Sequence, residues 1–449
     1  MKAVRRVLIV SPHFPPDTSA GTHRVRLLAP HLPAYGWEPT VVSVDPRDYE
    51  GRLDPGLAAL VPPSLRVIRA RAWSPRWTRK LGIGDLGIRA LRGLYHTCAT
   101  LLQQERFDAL YITIYPSYPA ILGPRLKARF GVPFVLDYQD PWVGAWGLAV
   151  GGGPDGAPDV KSRVTRWVAA KLEPRTVARA DAITAVSDGT HEEIVARTPA
   201  LARVPRHTIP LGGEAADYDY LLAHPRANRF FDPNDGAFHL CYVGTLLPMG
   251  FETLRAVLSA ACELRARSPL AYARLRMHFF GTSNQTNPDA PARVLPIAEA
   301  LGMDCVREHA ARVDYLDALT IQTQASAILM MGSSESHYTA SKLYPGLLAR
   351  RPILAVYHAA SSVSSMLLSE PSPGIRLVTY DDTARAESRV AAISRALDCT
   401  IGGGTASLPE VRGGFEAYSA SALTGRLAAV LDTACRARPS GVEGLLAHA

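Results

Sequence analysis

Short runs of β-branched and aliphatic residues alternate with segments of helical period along most of this chain, and that alternation limits the fold more than any other feature. Residues 7–10 (VLIV) are continuously apolar and stop at Ser11 and the prolines Pro12, Pro15 and Pro16. Such a run suits a strand buried on both faces, as in a parallel sheet. After Gly21 apolar residues recur at helical spacing (Val25, Leu28, Ala29, Leu32), and residues 40–44 (TVVSV) supply a second strand. Further strands are expected at residues 65–68, 109–114, 134–137 and 182–186, with a helix over 85–104. The alternation restarts at residues 238–243 and continues through strands at 276–280, 305–308, 327–331, 353–356 and 376–378. Each half therefore predicts a mainly parallel sheet with helices on both faces.

A chain of 449 residues exceeds what one core normally supports, so two domains are expected. Residues 213–236 are polar and turn-rich, with Pro225, Pro233 and Asn234-Asp235-Gly236, and read as an interdomain linker. The domains then span 1–212 and 237–416, and a helix-like segment closes the chain over 417–449. Residues 146–158, rich in glycine and proline, read as a loop or lid inside the first domain.

With 47% hydrophobic and 20% charged residues the composition is globular. No apolar run approaches the ~18 residues of a membrane span, and the early prolines cut the first run too short for a secretory signal. A cytoplasmic location is expected. The six cysteines show no C-x-x-C spacing, so neither a zinc site nor a disulfide framework is indicated. The net charge is +8. Arg69, Arg71, Arg76, Arg79 and Lys80 interleave with Trp73 and Trp77, and Lys161 to Arg179 form a second basic stretch. Both suit an anionic membrane surface at the inner face of a membrane, or else a solvated face. No nucleic-acid recognition motif accompanies the charge.

The loop after the first strand leads through Gly21 into a helix. Its backbone N–H groups could face an anion there, or the glycine could serve only the turn, since no complete G-x-G-x-x-G is present.

SPHFPPDTSAGTHRVRLLAPHL followed by GWEPTVVSV resembles the opening of family 4 retaining glycosyltransferases. The later landmarks resemble the family in order: DALYITIYPSYPAILGPRLKARFGVPFVLDYQDPW, ADAITAVS, HTIPLGG, HLCYVGTLLPMGFETL, LRMHFFGTS and SKLYPGLLARRPILAVY. The resemblance implies the GT-B fold, two Rossmann-like domains facing across a cleft, with the last helix crossing back to the first domain. It implies transfer of a sugar from a nucleotide diphosphate donor to an acceptor hydroxyl, with retention, no cofactor beyond that co-substrate and no metal. A nucleotide-sugar epimerase on the same fold, or a non-catalytic sugar-nucleotide-binding partner subunit, are the alternatives.

Catalysis of this kind is chiefly positioning plus stabilisation of developing negative charge. Asp140 sits just past a strand end, where it either contacts sugar or acceptor or caps the next turn. His13 and His23 flank the first loop on the acceptor side. Gly21, Gly244 and Thr245 stand where backbone could cradle the donor diphosphate, and Thr282, Ser283, Glu308 and His309 lie at later strand ends, where relatives bind the base and ribose. Two departures stand out. Thr245 occupies the place of an arginine and the loop 244–250 lacks its lysine, while the Glu-x7-Glu positions fall on His337 and Pro345. Glu335 is the candidate to replace the first acid. Ser341 and Lys342, at an expected helix start, are the candidates to hold the diphosphate, or else a cap and a surface residue.

Overall fold

The computed structural model describes residues 4–143, 160–283, 285–332, 343–403, 408–409 and 413–436. It divides into two compact units, Met1–Leu211 with Ala420–Ala449, and Gly212–Ser419.

The first unit is built on seven strands: β1 (Arg5–Val10), β2 (Trp37–Val44), β3 (Arg66–Ala70), β4 (Ala109–Ile114), β5 (Phe134–Tyr138), β6 (Ala182–Ala185) and β7 (Arg206–Thr208). Their order is β3-β2-β1-β4-β5-β6-β7, and every pairing is parallel. The continuous apolar run of β1 has a direct cause. Leu8 and Val10 point into one core with Leu86, Ala90 and Leu94, while Val7 and Ile9 point into another with Val25, Leu28 and Leu32. The strand is buried on both sides, so alternation never appears in its sequence.

The helix after the first loop is shorter than its period suggests. It spans Thr22–Leu28 and tightens into a 3-10 helix over Ala29–Tyr35, where Pro30 and Pro33 remove N–H donors. The final helix, Ala420–Arg436, belongs to this unit. Its buried Leu423, Leu427, Val430 and Leu431 pack in the second core.

The second unit holds β8 (Phe238–Val243), β9 (Leu275–Phe280), β10 (Val306–His309), β11 (Ala327–Met331), β12 (Ile353–His358) and β13 (Ile375–Tyr380). The order β10-β9-β8-β11-β12-β13 is again wholly parallel. Both sheets are thus Rossmann-like, and each reverses its strand order once, between β1 and β4 and between β8 and β11. Crevices at the carboxyl ends of such strand pairs are where open α/β sheets bind ligands.

Residues 213–236 correct the linker expectation. Ala215–Ala223 is a helix that buries Asp217, Tyr218 and Leu221 within the second unit. Tyr315 donates to Asp217 at 2.7 Å and Tyr218 to the Pro345 carbonyl at 2.5 Å. The turn-rich end of this segment, with Pro225 and Pro233, obscured the helix at its start. The glycine-rich stretch 146–158 lies outside the described residues. Among those described, no helix is long and apolar enough to cross a membrane.

Candidate functional site

In the first unit the chain leaves β1 into a loop braced by its own polar groups. Ser11 Oγ donates to the His13 carbonyl at 2.8 Å, and the Tyr49 hydroxyl donates to the Pro12 carbonyl at 2.8 Å. His13 Nδ1 lies 2.7 Å from Asp17 Oδ2. The same carboxylate accepts from the Ser19 hydroxyl, the Ser19 backbone N–H at 3.2 Å and Thr22 Oγ1 at 3.0 Å. Burial pushes the Asp17 carboxyl up, but His13, Ser19 and Thr22 together outweigh it and hold its pKa below the usual carboxylate value. A carboxylate accepts only, so Nδ1 carries a proton towards Asp17, and Nε2 is the ring nitrogen turned away from that pair. Nε2 has no partner among the described residues, and the side chain keeps 17% of its surface exposed. The ring lies between Tyr49, with centroids 6.0 Å apart, and Tyr115, at 5.4 Å. Tyr115 directly follows β4, so the histidine–aspartate pair stands at the strand-order reversal of the first sheet.

The glycine of this loop has a different reason from the one expected. A Cβ on Gly21 would fall 2.2 Å from Tyr115 Cδ1, so the tyrosine ring takes up the space that a phosphate was expected to use. His23 sits on the helix, with its Nδ1 3.4 Å from the Arg26 guanidinium.

Beneath the loop lies a buried ion pair. Arg24 Nε and Nη2 bind Asp137 at 3.0 and 2.7 Å, and Nη1 donates to the carbonyls of Ile209 and Pro210 at 2.7 and 3.0 Å. Asp137 also accepts from Thr184 Oγ1 at 2.6 Å. Burial works against the Arg24 charge, but Asp137 outweighs it and the guanidinium pKa rises. The pair ties the first helix to β5 and to the chain leaving β7. Asp140, two residues past β5, is exposed as a residue, yet protein atoms crowd its carboxyl enough to push the pKa up by desolvation.

In the second unit Gly244 directly follows β8 with φ 147°, a conformation that favours glycine. Its N–H donates to the Phe280 carbonyl at 2.8 Å, and the Leu246 N–H to Thr282 at 3.0 Å. These two amides extend the pairing with β9 and are not offered to a ligand, which corrects the expectation for Gly244. The Thr245 carbonyl accepts from the Tyr242 hydroxyl at 3.0 Å. Arg293 supplies a cation that the loop lacks in sequence, its Nη1 donating to the Leu246 carbonyl at 2.9 Å.

Glu308 has a structural role that differs from ribose binding. Its carboxylate accepts from Thr282 Oγ1 at 2.5 Å and from the backbone N–H groups of Arg293, Val294 and Leu295 at 2.9 to 3.1 Å. It therefore caps the helix Leu295–Ala300. Thr282 is fully buried, and Ser283, also buried, spends its hydroxyl on the Ala310 carbonyl at 2.8 Å. These three side chains hold the strand ends together. His309 is exposed and packs edge-on against Phe230 at 5.3 Å, and burial pushes its pKa down. Glu335, Ser341 and Lys342 lie outside the described residues. Among those described, no group of three or more His, Cys, Asp or Glu could hold a metal ion.

Sequence reasoning found His13 but missed Asp17 and Arg293. Neither stands in a recurrent spacing with its partner, and the only signal for Asp17 was a carboxylate four residues beyond a loop histidine.

Residues 20–212 match the model of the glycosyl transferase 4-like domain. Among solved structures the chain is similar to an alpha,alpha-trehalose 6-phosphate synthase from Burkholderia multivorans, at 12% identity and a TM-score of 0.55, covering 97% of this chain and 100% of that one. It is also similar to the N-terminal domain of a trehalose-6-phosphate phosphatase from Candida albicans, at 12% identity and a TM-score of 0.53, covering 96% and 95%. At such identities the likeness is one of fold. No curated protein sequence matches. Residues 20–212 are a glycosyl transferase 4-like domain, and the chain that carries them has the two Rossmann-like domains of the GT-B fold.

Proposed function

We propose that the chain transfers a glycosyl group from a nucleoside diphosphate donor to an acceptor hydroxyl, with retention and without an essential metal. The observation that carries this reading is the glycosyl transferase 4-like domain over residues 20–212. Retention follows from the family resemblance: the leaving diphosphate takes the acceptor proton on the same face, so the protein positions groups and stabilises charge.

His13 suits the acceptor side. With Nδ1 held by Asp17, its Nε2 accepts a hydrogen bond from the acceptor hydroxyl and orients the oxygen for attack. Asp140 is assigned to a hydroxyl of the sugar or acceptor. On the donor side Arg293, at the loop 244–250 and near the start of the helix Phe251–Arg267, meets the diphosphate charge together with Ser341 and Lys342. Glu335 keeps its role as the candidate acid. The six cysteines are all free, which suits a reducing, cytoplasmic location.

The test is a thermal-shift panel of UDP-, GDP-, ADP- and dTDP-sugars, because a ligand that binds only the native state raises its stability. The donor that shifts the transition is then incubated with acceptor extracts. Release of the nucleoside diphosphate with a new glycoside supports the proposal. A changed sugar still attached to its nucleotide would make the protein an epimerase, and binding without turnover a non-catalytic subunit.

A further inference from the structure

One flank of the first unit exposes aromatic side chains beside unpaired cations, and we propose that this flank docks on the surface of an anionic lipid bilayer. Trp73, Trp77 and Leu81 are 51%, 71% and 77% exposed. They lie on and beside the short helix Pro75–Thr78 and the 3-10 turn Arg79–Leu81. A second exposed pair, Val164 and Trp167, lies on the helix Val160–Val177.

The two sites share one side of the sheet. Ala169 and Val177 of the second helix pack in the same core as Leu86, Ala90 and Leu94 of the helix Leu86–Gln104, while the opposite core holds the first and last helices. Trp73 is fastened to that same helix, its N–H donating to the Arg89 carbonyl at 3.0 Å and its carbonyl accepting from Arg89 Nε at 2.9 Å. The 3-10 helix Tyr118–Ile121 touches both long helices.

Charge on the flank is positive after pairing. Glu50 is spent on Arg79 and Arg89, and Asp48 on Arg71. Arg76, Arg163 and Lys171 have no ion-pair partner among the described residues, and Lys80 lies 4.8 Å over the Trp77 ring. A soluble surface gains nothing from tryptophans left in water, whereas the headgroup region takes up their amphipathic rings. Each basic side chain close to an anionic surface strengthens binding by about fivefold. Aromatic anchors among cations thus match an anionic interface better than the solvated-face reading, which accounts for the charge and not for the tryptophans. The inference stands apart from the glycosyl-transfer reading.

The full chain is sedimented with vesicles of phosphatidylcholine alone and with vesicles containing a third phosphatidylglycerol, at low and high salt. Binding is expected to the anionic vesicles and to weaken with salt. Arg76→Glu with Lys80→Glu should weaken it by at least about tenfold. Trp77→Ala with Trp167→Ala should also weaken it, with the charge unchanged. Arg255→Glu with Arg274→Glu, exposed positions of the second unit, makes the same charge change and should leave affinity within about twofold. All these positions are exposed, and thermal unfolding confirms that each variant folds. The inference is overturned by absence of binding to anionic vesicles. It is equally overturned if the control pair weakens binding as much as the first pair, or if the tryptophan pair has no effect.

Discussion

A histidine in a strand-end loop can act on a substrate only when something fixes its proton, and for His13 that group is Asp17. The carboxylate is clamped by Ser19 and Thr22 as well, so the imidazole is held by a rigid anchor. Asp17→Ala should lower glycosyl transfer by roughly 10- to 100-fold, the scale of a misplaced reacting group, with nucleoside diphosphate binding kept. His13→Ala should lose at least as much, and an assay in which both variants match the parent rate would remove His13 from the acceptor side. On the donor side, Arg293→Ala should weaken nucleoside diphosphate binding by about 1.5 to 3 kcal/mol, the range for a hydrogen bond to a charged group, and leave nucleoside binding nearly unchanged. Calorimetric titration with both ligands separates these outcomes. The two residues were not legible in the sequence for the same reason. A pair such as His13 and Asp17 meets because a proline-rich loop folds back, and Arg293 meets Leu246 across 47 positions of chain. Glu308 shows the reverse case, a carboxylate at a strand end whose place suggested ligand binding and whose bonds are those of a helix cap.

At the scale of elements the sequence was far more legible. Parallel strands buried on both faces announce themselves as apolar runs, so β4 and β8 stand where the sequence placed them. Charged groups inside those elements did not. Arg24 reads as a surface residue of an amphipathic helix until the sheet order places it against Asp137, 113 positions away. His278 in β9 is another such group. Its Nε2 lies 3.0 Å from His239 Nδ1, His239 Nε2 lies 3.0 Å from Asp235, and Phe231 covers both rings. Burial first, then the neighbouring His239 and Arg307, push the His278 pKa down to about 4. Since an unfolded histidine titrates near 6.5, the neutral ring stabilises the fold fully above that pH, and the contribution is lost as pH falls towards 4. Stability should therefore drop by about 2 kcal/mol between pH 7 and pH 5. Denaturant titration at both pH values checks this, and His278→Gln should flatten the difference. An unchanged slope in that variant would place the acid sensitivity elsewhere.

In the whole molecule the chain leaves its first unit at Leu211, builds the second, and returns at Ala420 to finish the first. Hydropathy alone gives the closing segment only as an amphipathic helix; nothing in its period says which core it serves. The contacts decide it. Leu423, Leu427, Val430 and Leu431 fill the core formed by Val7, Ile9, Leu28, Leu32 and Trp37. Asp432 accepts from Arg5 at 2.5 Å and from Trp37 Nε1 at 2.9 Å, and Thr424 Oγ1 donates to the Leu28 carbonyl at 3.1 Å. Removing one such leucine costs roughly 2 to 5 kcal/mol, and a domain holds only about 5 to 15 kcal/mol in all. Ending the chain after Ser419 removes several at once and opens one face of the first sheet to water. The first unit should then fail to fold, whereas the second, whose core contains none of these residues, should keep its own cooperative transition. Calorimetry of the truncated chain should show one transition where the full chain shows two, and Leu427→Ala should lower only the transition of the first unit. Two transitions surviving the truncation would mean that the first sheet is stable without its last helix.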